Sequence, residues 1–255
     1  MESEVIKQAF KLGNSAGVLL PVEWRDKKVA IKLIDKSITQ ELLEILDEKN
    51  LLKNTVGIFL AGSYARGEEE PDSDIDVLII TDAINKNMRI GKYEITFISR
   101  DRFERLFPNS LYLASLICES KAILNNDYLQ RYKNKVQNLS IKRDIENLKS
   151  MMKVNEKMLA LDKELGIKVF DITIYSLVLR LRELYLIECL KNNKIHSKKE
   201  FVNLVKKISS EECYRAYLRI KNHLKQKQVI PLEEAMSLLN EIKKMLKKLQ
   251  NDQKK

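Results

Sequence analysis

Between Thr55 and Ile80 two apolar runs flank a turn, and this arrangement leaves the chain few ways to fold. Thr55 to Ala61 reads as a buried strand and Gly62-Ser63 as a tight turn. A second apolar run, Asp74 to Ile80, opens with two carboxylates. Residues i and i+2 of a strand share a face. Asp74 and Asp76 therefore project together, while Ile75, Val77 and Ile79 point the other way into a core.

Two ionised carboxylates a few ångströms apart repel each other, so crowding them is costly unless a cation neutralises them. Hard oxygen donors suit Mg²⁺, which binds through one or two carboxylates together with substrate phosphates. Gly62 removes a side chain where backbone must approach a phosphate, and Ser63 adds a hydroxyl donor. A short helix starting near Ser63 would aim free N–H groups at a triphosphate, and Arg66 would add a charged contact. Tyr93 to Ile98 alternates like a half-buried strand, with Ile95 and Phe97 on one face and Glu94 and Thr96 on the other. Glu94 is the third carboxylate, placed to complete a metal site and to accept a proton from an attacking hydroxyl. A lone Asp-x-Asp is most often a solvated turn and a lone Gly-Ser carries no signal. It is their order, with an apolar run on each side, that makes the pattern specific.

Gly62-Ser63-x-Ala65-Arg66-Gly67 followed by Asp72-Ser73-Asp74-x-Asp76 resembles the signature of the DNA polymerase β-like nucleotidyltransferases. It is nearest to their minimal and aminoglycoside-modifying members. The resemblance covers roughly residues 37 to 130. It implies a mixed sheet flanked by helices, two Mg²⁺ ions, an NTP donor such as ATP, and in-line transfer of a nucleoside monophosphate with release of pyrophosphate. Gly62, Ser63 and Arg66 would then bind the nucleotide phosphates. Asp74, Asp76 and Glu94 would be the catalytic and metal-binding carboxylates, although the family more often has Asp at the third position.

Composition bounds the rest. The 255 residues are 44% hydrophobic and 32% charged, the balance of a globular protein with a substantial core. No apolar stretch reaches membrane-spanning length and no leader pattern precedes the first strand, so a cytoplasmic protein is expected. Cys118, Cys189 and Cys213 are widely spaced and are expected as reduced, buried thiols, with no zinc-type spacing. His196 and His223 sit in basic segments and receive no role. The net charge of +10 is uneven: residues 131–255 hold 29 Lys/Arg against 15 Asp/Glu. A basic half beside a triphosphate site suits a polyanion such as tRNA, or equally the solvated faces of lysine-rich helices.

Three segments are expected: 1–36, 37–130 and 131–255. The first reads as strands at Glu4–Phe10, Val18–Leu20 and Val29–Ile34, too short to bury a core of their own. Its Lys11-Leu12-Gly13-Asn14-Ser15-x-Gly17-Val18-x-x-Pro21 resembles the swapped-hairpin AbrB and MazE antitoxin-type factors. That resemblance implies a homodimer and, in many relatives, DNA binding. Ser37 with Gln40 makes a capping box for a helix to about Lys53. Helices follow at Asp101–Phe107 and Asn109–Ser120. Helical periodicity then continues over roughly 127–138, 140–164, 167–193, 197–209, 211–226 and 231–250, without strand signals.

A helical bundle after such a domain resembles either an acceptor-binding domain or the HEPN domain. The Arg–His spacing of HEPN ribonucleases is not met by Arg219 or Arg215 with His223. Tyr214, Tyr217 and Lys221 share a face of one helix and read mainly as packing. Arg180, Arg182 and Glu183 read as an internal ion-pair set or as cleft lining. The expected class is thus α+β: a nucleotidyltransferase sheet flanked by helices, a small N-terminal β unit and an all-α C-terminal bundle. Its expected work is Mg²⁺-dependent transfer of a nucleoside monophosphate to a hydroxyl on a protein, a small molecule or an RNA end such as that of tRNA, in a toxin–antitoxin or regulatory setting. The alternative is a DNA-binding or scaffolding regulator whose nucleotidyltransferase fold only senses nucleotide.

Overall fold

The computed structural model of the protein describes residues 4–33 and 36–252. Its contacts divide into two compact units, residues 1–44 and 45–255. In the first, Gly13 at φ +58° turns the chain between β1 (Phe10–Leu12) and β2 (Ser15–Gly17), an antiparallel pair with Phe10 opposite Gly17. The Ser15 hydroxyl donates to the Leu12 carbonyl at 2.9 Å and closes the hairpin. A single 3₁₀ turn, Val22–Trp24, follows Pro21.

The strands expected at 4–10, 18–20 and 29–34 are corrected by this structure. Residues 4–9, 18–20 and 29–33 carry no strand, and Ile34 lies outside the described residues. Alternation alone makes no strand where no partner strand accepts the backbone hydrogen bonds, and Ile6, Leu19, Ile31 and Leu33 stay exposed.

Helix α1 (Ile38–Glu48) starts at the expected capping box. The Ser37 N–H donates to Gln40 Oε1 at 2.9 Å, and the Gln40 N–H donates to Ser37 Oγ at 3.3 Å. The helix ends earlier than Lys53 because Asn50, at φ +54°, turns the chain so that the Leu51 N–H caps the Leu46 carbonyl at 2.8 Å.

The second unit is built on a five-stranded mixed sheet of β3 (Thr55–Leu60), β4 (Ile75–Thr81), β5 (Lys86–Ile90), β6 (Tyr93–Ser99) and β7 (Lys121–Leu124). Their spatial order is β5-β6-β4-β3-β7, with β4 and β6 parallel and the other pairs antiparallel. The run Ile75 to Ile80 is apolar apart from Asp76 because β4 is central and covered on both faces. Ile75, Val77 and Ile79 are buried on one face, and Leu78 and Ile80 on the other.

The helices are α2 (Gly62–Arg66), α3 (Arg100–Leu106), α4 (Leu111–Glu119), α5 (Asn126–Lys135), α6 (Lys142–Glu164), α7 (Asp171–Lys191), α8 (Lys198–Ile208), α9 (Glu211–Lys221) and α10 (Leu232–Asp252). Leu78, Ile80 and Ile98 enter one continuous core with Phe103, Leu148, Leu177 and Leu238, so sheet and helices share it. Around Phe103, an aromatic knot with Phe107, Tyr128 and Tyr132 packs at centroid distances of 4.9–6.3 Å. Replacing a fully buried Leu such as Leu148 with Ala costs about 2–5 kcal/mol in cores of this kind. The expected α+β class holds: a mixed sheet flanked by helices, a small N-terminal sheet and C-terminal helices.

Candidate active site

Strand register brings the sequence-selected carboxylates together. Asp76 of β4 lies opposite Glu94 of β6, so the two sit side by side on one face of the sheet. Asp74 stands just before β4, where the Ile75 N–H donates to the Lys92 carbonyl at 2.7 Å and extends the ladder. The Ala61 N–H donates to the Asp76 carbonyl at 2.8 Å and draws the Gly62 turn against β4. Gly62 has φ +65°, and a Cβ built on it would lie 1.9 Å from Asp76 Oδ2. Only glycine fits there, for both reasons.

A residue outside the expected set continues the row. Arg89 of β5 lies opposite Glu94 and donates to Glu94 Oε1 at 2.9 Å and to Asp74 Oδ1 at 2.7 Å. Its side chain is 61% exposed, so each pair contributes at most about 1 kcal/mol and yields easily to a stronger ligand. Asp76 lacks such relief. Burial pushes its carboxyl above the usual range, and Glu94, Glu119 and Asp74 push it the same way against Arg66.

Among the described residues no three His, Cys, Asp or Glu side chains converge as a preformed metal cage. A hard cation completed by substrate phosphates needs none. The crowded, undercompensated carboxylate at Asp76 fits such a cation.

Arg66 lines the same cavity as Gly62 and Ser63 and is engaged by two carboxylates. Its Nη1 donates to Glu119, and its Nε donates to Glu68 at 2.9 Å. Burial works against its charge, but these two carboxylates hold its pKa above the usual value. Glu119, at the end of α4, also accepts the Gly62 N–H at 3.0 Å. Glu68 accepts the Lys198 N–H at 3.1 Å and the Ser197 hydroxyl. Burial would raise the Glu68 carboxyl, but the bonds from Ser197, Arg66 and Lys198 prevail and hold it down at about 2.

His196, given no role from sequence, lies in this network. Its Nε2 is 3.4 Å from Glu119 and its Nδ1 is 3.2 Å from the Ser115 hydroxyl. No local signal marked Glu119 or His196, because their partners are far away in the chain. At the start of α8, Ser197 Oγ caps the Glu200 N–H at 3.2 Å.

A cavity of about 860 Å³ holds Gly62, Ser63, Arg66, Asp74, Asp76 and Glu94 on its sheet side, with Glu119 and His196. Its helical side carries Arg143, Asp144, Arg182, Glu183, Lys198, Tyr214, Tyr217 and Lys221. The Tyr214 face thus lines the cleft as well as packing, with Tyr214, Tyr217 and Tyr175 stacked at 5.8 and 5.4 Å. Both sequence readings of the α7 trio hold: Arg180 pairs with Glu183 at 2.9 Å, and Arg182 and Glu183 line the cavity. Arg219 is committed to buried Asp171 at 2.6 Å and to Glu212 at 2.7 Å, away from exposed His223.

The family profile described as a nucleotidyltransferase domain matches residues 39–217. Among solved structures, one similar chain is a nucleotidyltransferase-like protein from Exiguobacterium sibiricum. It is 13% identical with a TM-score of 0.39, and the match covers 83% of this chain and 75% of that one. Another is a spectinomycin adenyltransferase from Enterococcus faecialis, solved with ATP and spectinomycin. It is 17% identical with a TM-score of 0.40, over 82% and 98% of the two chains. A search of curated proteins finds no match.

Proposed function

Because the chain belongs to the nucleotidyltransferase domain family, we propose that it is a Mg²⁺-dependent enzyme transferring a nucleoside monophosphate from an NTP, such as ATP, to a hydroxyl acceptor. The observation that carries this reading is the row formed by Asp76 and Glu94 on adjacent strands, with Asp74 beside it and the Gly62 turn drawn against it. Asp74, Asp76 and Glu94 would hold up to two metal ions, which neutralise the triphosphate and the leaving pyrophosphate when bound.

The remaining work falls to the chain. Gly62, whose own N–H is held by Glu119, leaves room for the phosphates, and Ser63 meets them with hydroxyl and backbone donors. Arg66, which also lines the cavity, contributes its charge while Glu68 and Glu119 hold it. Glu94 takes the acceptor proton as the acceptor oxygen bonds to the α-phosphorus and the bond to the β-phosphate oxygen breaks. The helical side of the cavity presents the acceptor, which we take to be a hydroxyl on a protein partner, a small molecule or an RNA end. Residues 1–36 form a homodimer contact in this reading and suit a toxin–antitoxin or regulatory setting.

The test is transfer of label from radiolabelled NTP with Mg²⁺ to candidate acceptors, followed by intact-mass analysis. Asp74→Ala with Asp76→Ala should abolish labelling, and undiminished labelling would sink the assignment. A second reading, a DNA-binding or scaffolding protein that senses nucleotide without turnover, draws on the Arg89 bridge between Asp74 and Glu94. NTP binding without transfer to any acceptor would favour it.

A further inference from the structure

Helix α2 begins at Gly62 without help from its own cap, because Ala61 offers no side-chain acceptor. The missing acceptor comes from Glu119, whose Oε1 receives the Gly62 N–H at 3.0 Å. Glu119 is only 5% exposed and lies at the far end of α4. A carboxylate buried that deeply is tolerated only when it is paired and hydrogen-bonded. Besides Gly62, its partners are the Arg66 guanidinium and His196 Nε2.

The chain of contacts continues through Arg66, whose Nε reaches Glu68 at 2.9 Å. Glu68 in turn accepts the Ser197 hydroxyl and the Lys198 N–H at the first turn of α8. Lys198 Nζ adds a contact to Glu70 at 3.0 Å. The segment from Gly62 to Glu70 is thus tied to α4 at its front and to the α8 N-terminus at its back. Arg66 is shared by the two carboxylates, and Lys198 and Phe201 of α8 line the cavity with it.

We infer that Glu119 and Arg66 are positioning residues that set the Gly62 turn and lock the α8 wall of the cavity to it, so that the two sides of the cleft are energetically coupled. Neither residue needs to touch the nucleotide for this. Glu119 fixes the direction of the Gly62 amide, and Arg66 transmits the position of Ser197 and Lys198 through Glu68. The inference rests on the nucleotide-transfer reading for its consequence but not for its geometry.

A double-mutant cycle separates this role from direct phosphate binding. Arg66→Gln, Glu119→Gln and the pair together are compared for NTP binding by calorimetry and for transfer kinetics, with Arg66→Lys as the conservative variant. Misplacement of the turn should weaken NTP binding or turnover about tenfold or more in either single variant. The double variant should be no worse than the worse single one, and Arg66→Lys should recover little because one ammonium cannot bridge two carboxylates in a fork. Additive losses, or tighter NTP binding in Glu119→Gln because Arg66 has been freed, would overturn the inference.

Hydrogen exchange over residues 61–68 gives a second readout in the absence of nucleotide. Glu119→Gln and the milder Ser197→Ala should both speed exchange there, and unchanged exchange would overturn the inference too. A wild-type chain that binds no NTP would count against the nucleotide-transfer reading while leaving this exchange test standing.

Discussion

His196 is one of the cleft residues that respond to acidity. Burial holds its imidazole below the usual 6.5, Arg66 and Arg182 push it the same way, and Glu119 and Glu68 oppose them. The folded protein therefore keeps the ring neutral at pH values where the unfolded chain already binds a proton. In that window, from 6.5 downwards, the unfolded state holds more protons and stability falls as the pH falls. His196→Asn retains polarity without titrating, so the unfolding free energy should decline less from pH 7.5 to 5.5 in the variant than in the wild type. Chemical denaturation across that range measures it, and parallel slopes would show that the ring does not contribute. At the same scale, Gly62 shows why the site tolerates little variation, since any β-carbon there meets the Asp76 carboxylate.

Among the elements, edge strand β5 has the most to say about the chemistry. It places Arg89 in line with Glu94 and Asp76 across three strands, so an exposed guanidinium stands where the proposed metal's carboxylates gather. Arg89→Ala should change stability by less than about 1 kcal/mol, as exposed ion pairs do. It should also lower the Mg²⁺ concentration that half-saturates nucleotide transfer, because a competing cation is gone. A magnesium titration of initial rates decides this, and a raised requirement would make Arg89 part of the binding machinery instead. β5 escaped sequence reading because Lys-Asn-Met-Arg-Ile carries two cations and an Asn on a strand whose outer edge is unpaired. β7 escaped because four residues at the opposite edge show too little alternation. β3, β4, β6 and the long helices were legible because each buries a face, which imposes a period on the residues. Asp74, Asp76, Glu94 and Gly62 were legible because their spacing along one strand–turn–strand unit is itself the geometry. Glu119, Arg89 and His196 were not, because only topology brings them to the cleft.

At the scale of the whole molecule, the two units differ in how they treat apolar residues. Residues 45–255 own a continuous core, and many of their basic side chains are matched, as in Lys243 with Glu156 and Lys248 with Glu188. In residues 4–33, by contrast, Ile6 is 83% exposed, Leu12 59%, Leu19 73%, Val22 69% and Ile31 74%. So much apolar surface in so short a segment is what the proposed homodimer contact would require. A three-residue hairpin cannot cover it. The proposed homodimer would cover it with the same segment of a second chain, which predicts that charge placed there abolishes assembly without unfolding the rest. Leu12→Glu with Ile31→Glu should halve the mass read by light scattering, because two like charges would meet their copies across the contact. The melting temperature should stay close to wild type once compared at a concentration where the wild type is also dissociated, since residues 45–255 keep their own core. A dimer that survives both charges would place the contact elsewhere, and a wild-type chain that is monomeric at high concentration would leave this surface to a different partner.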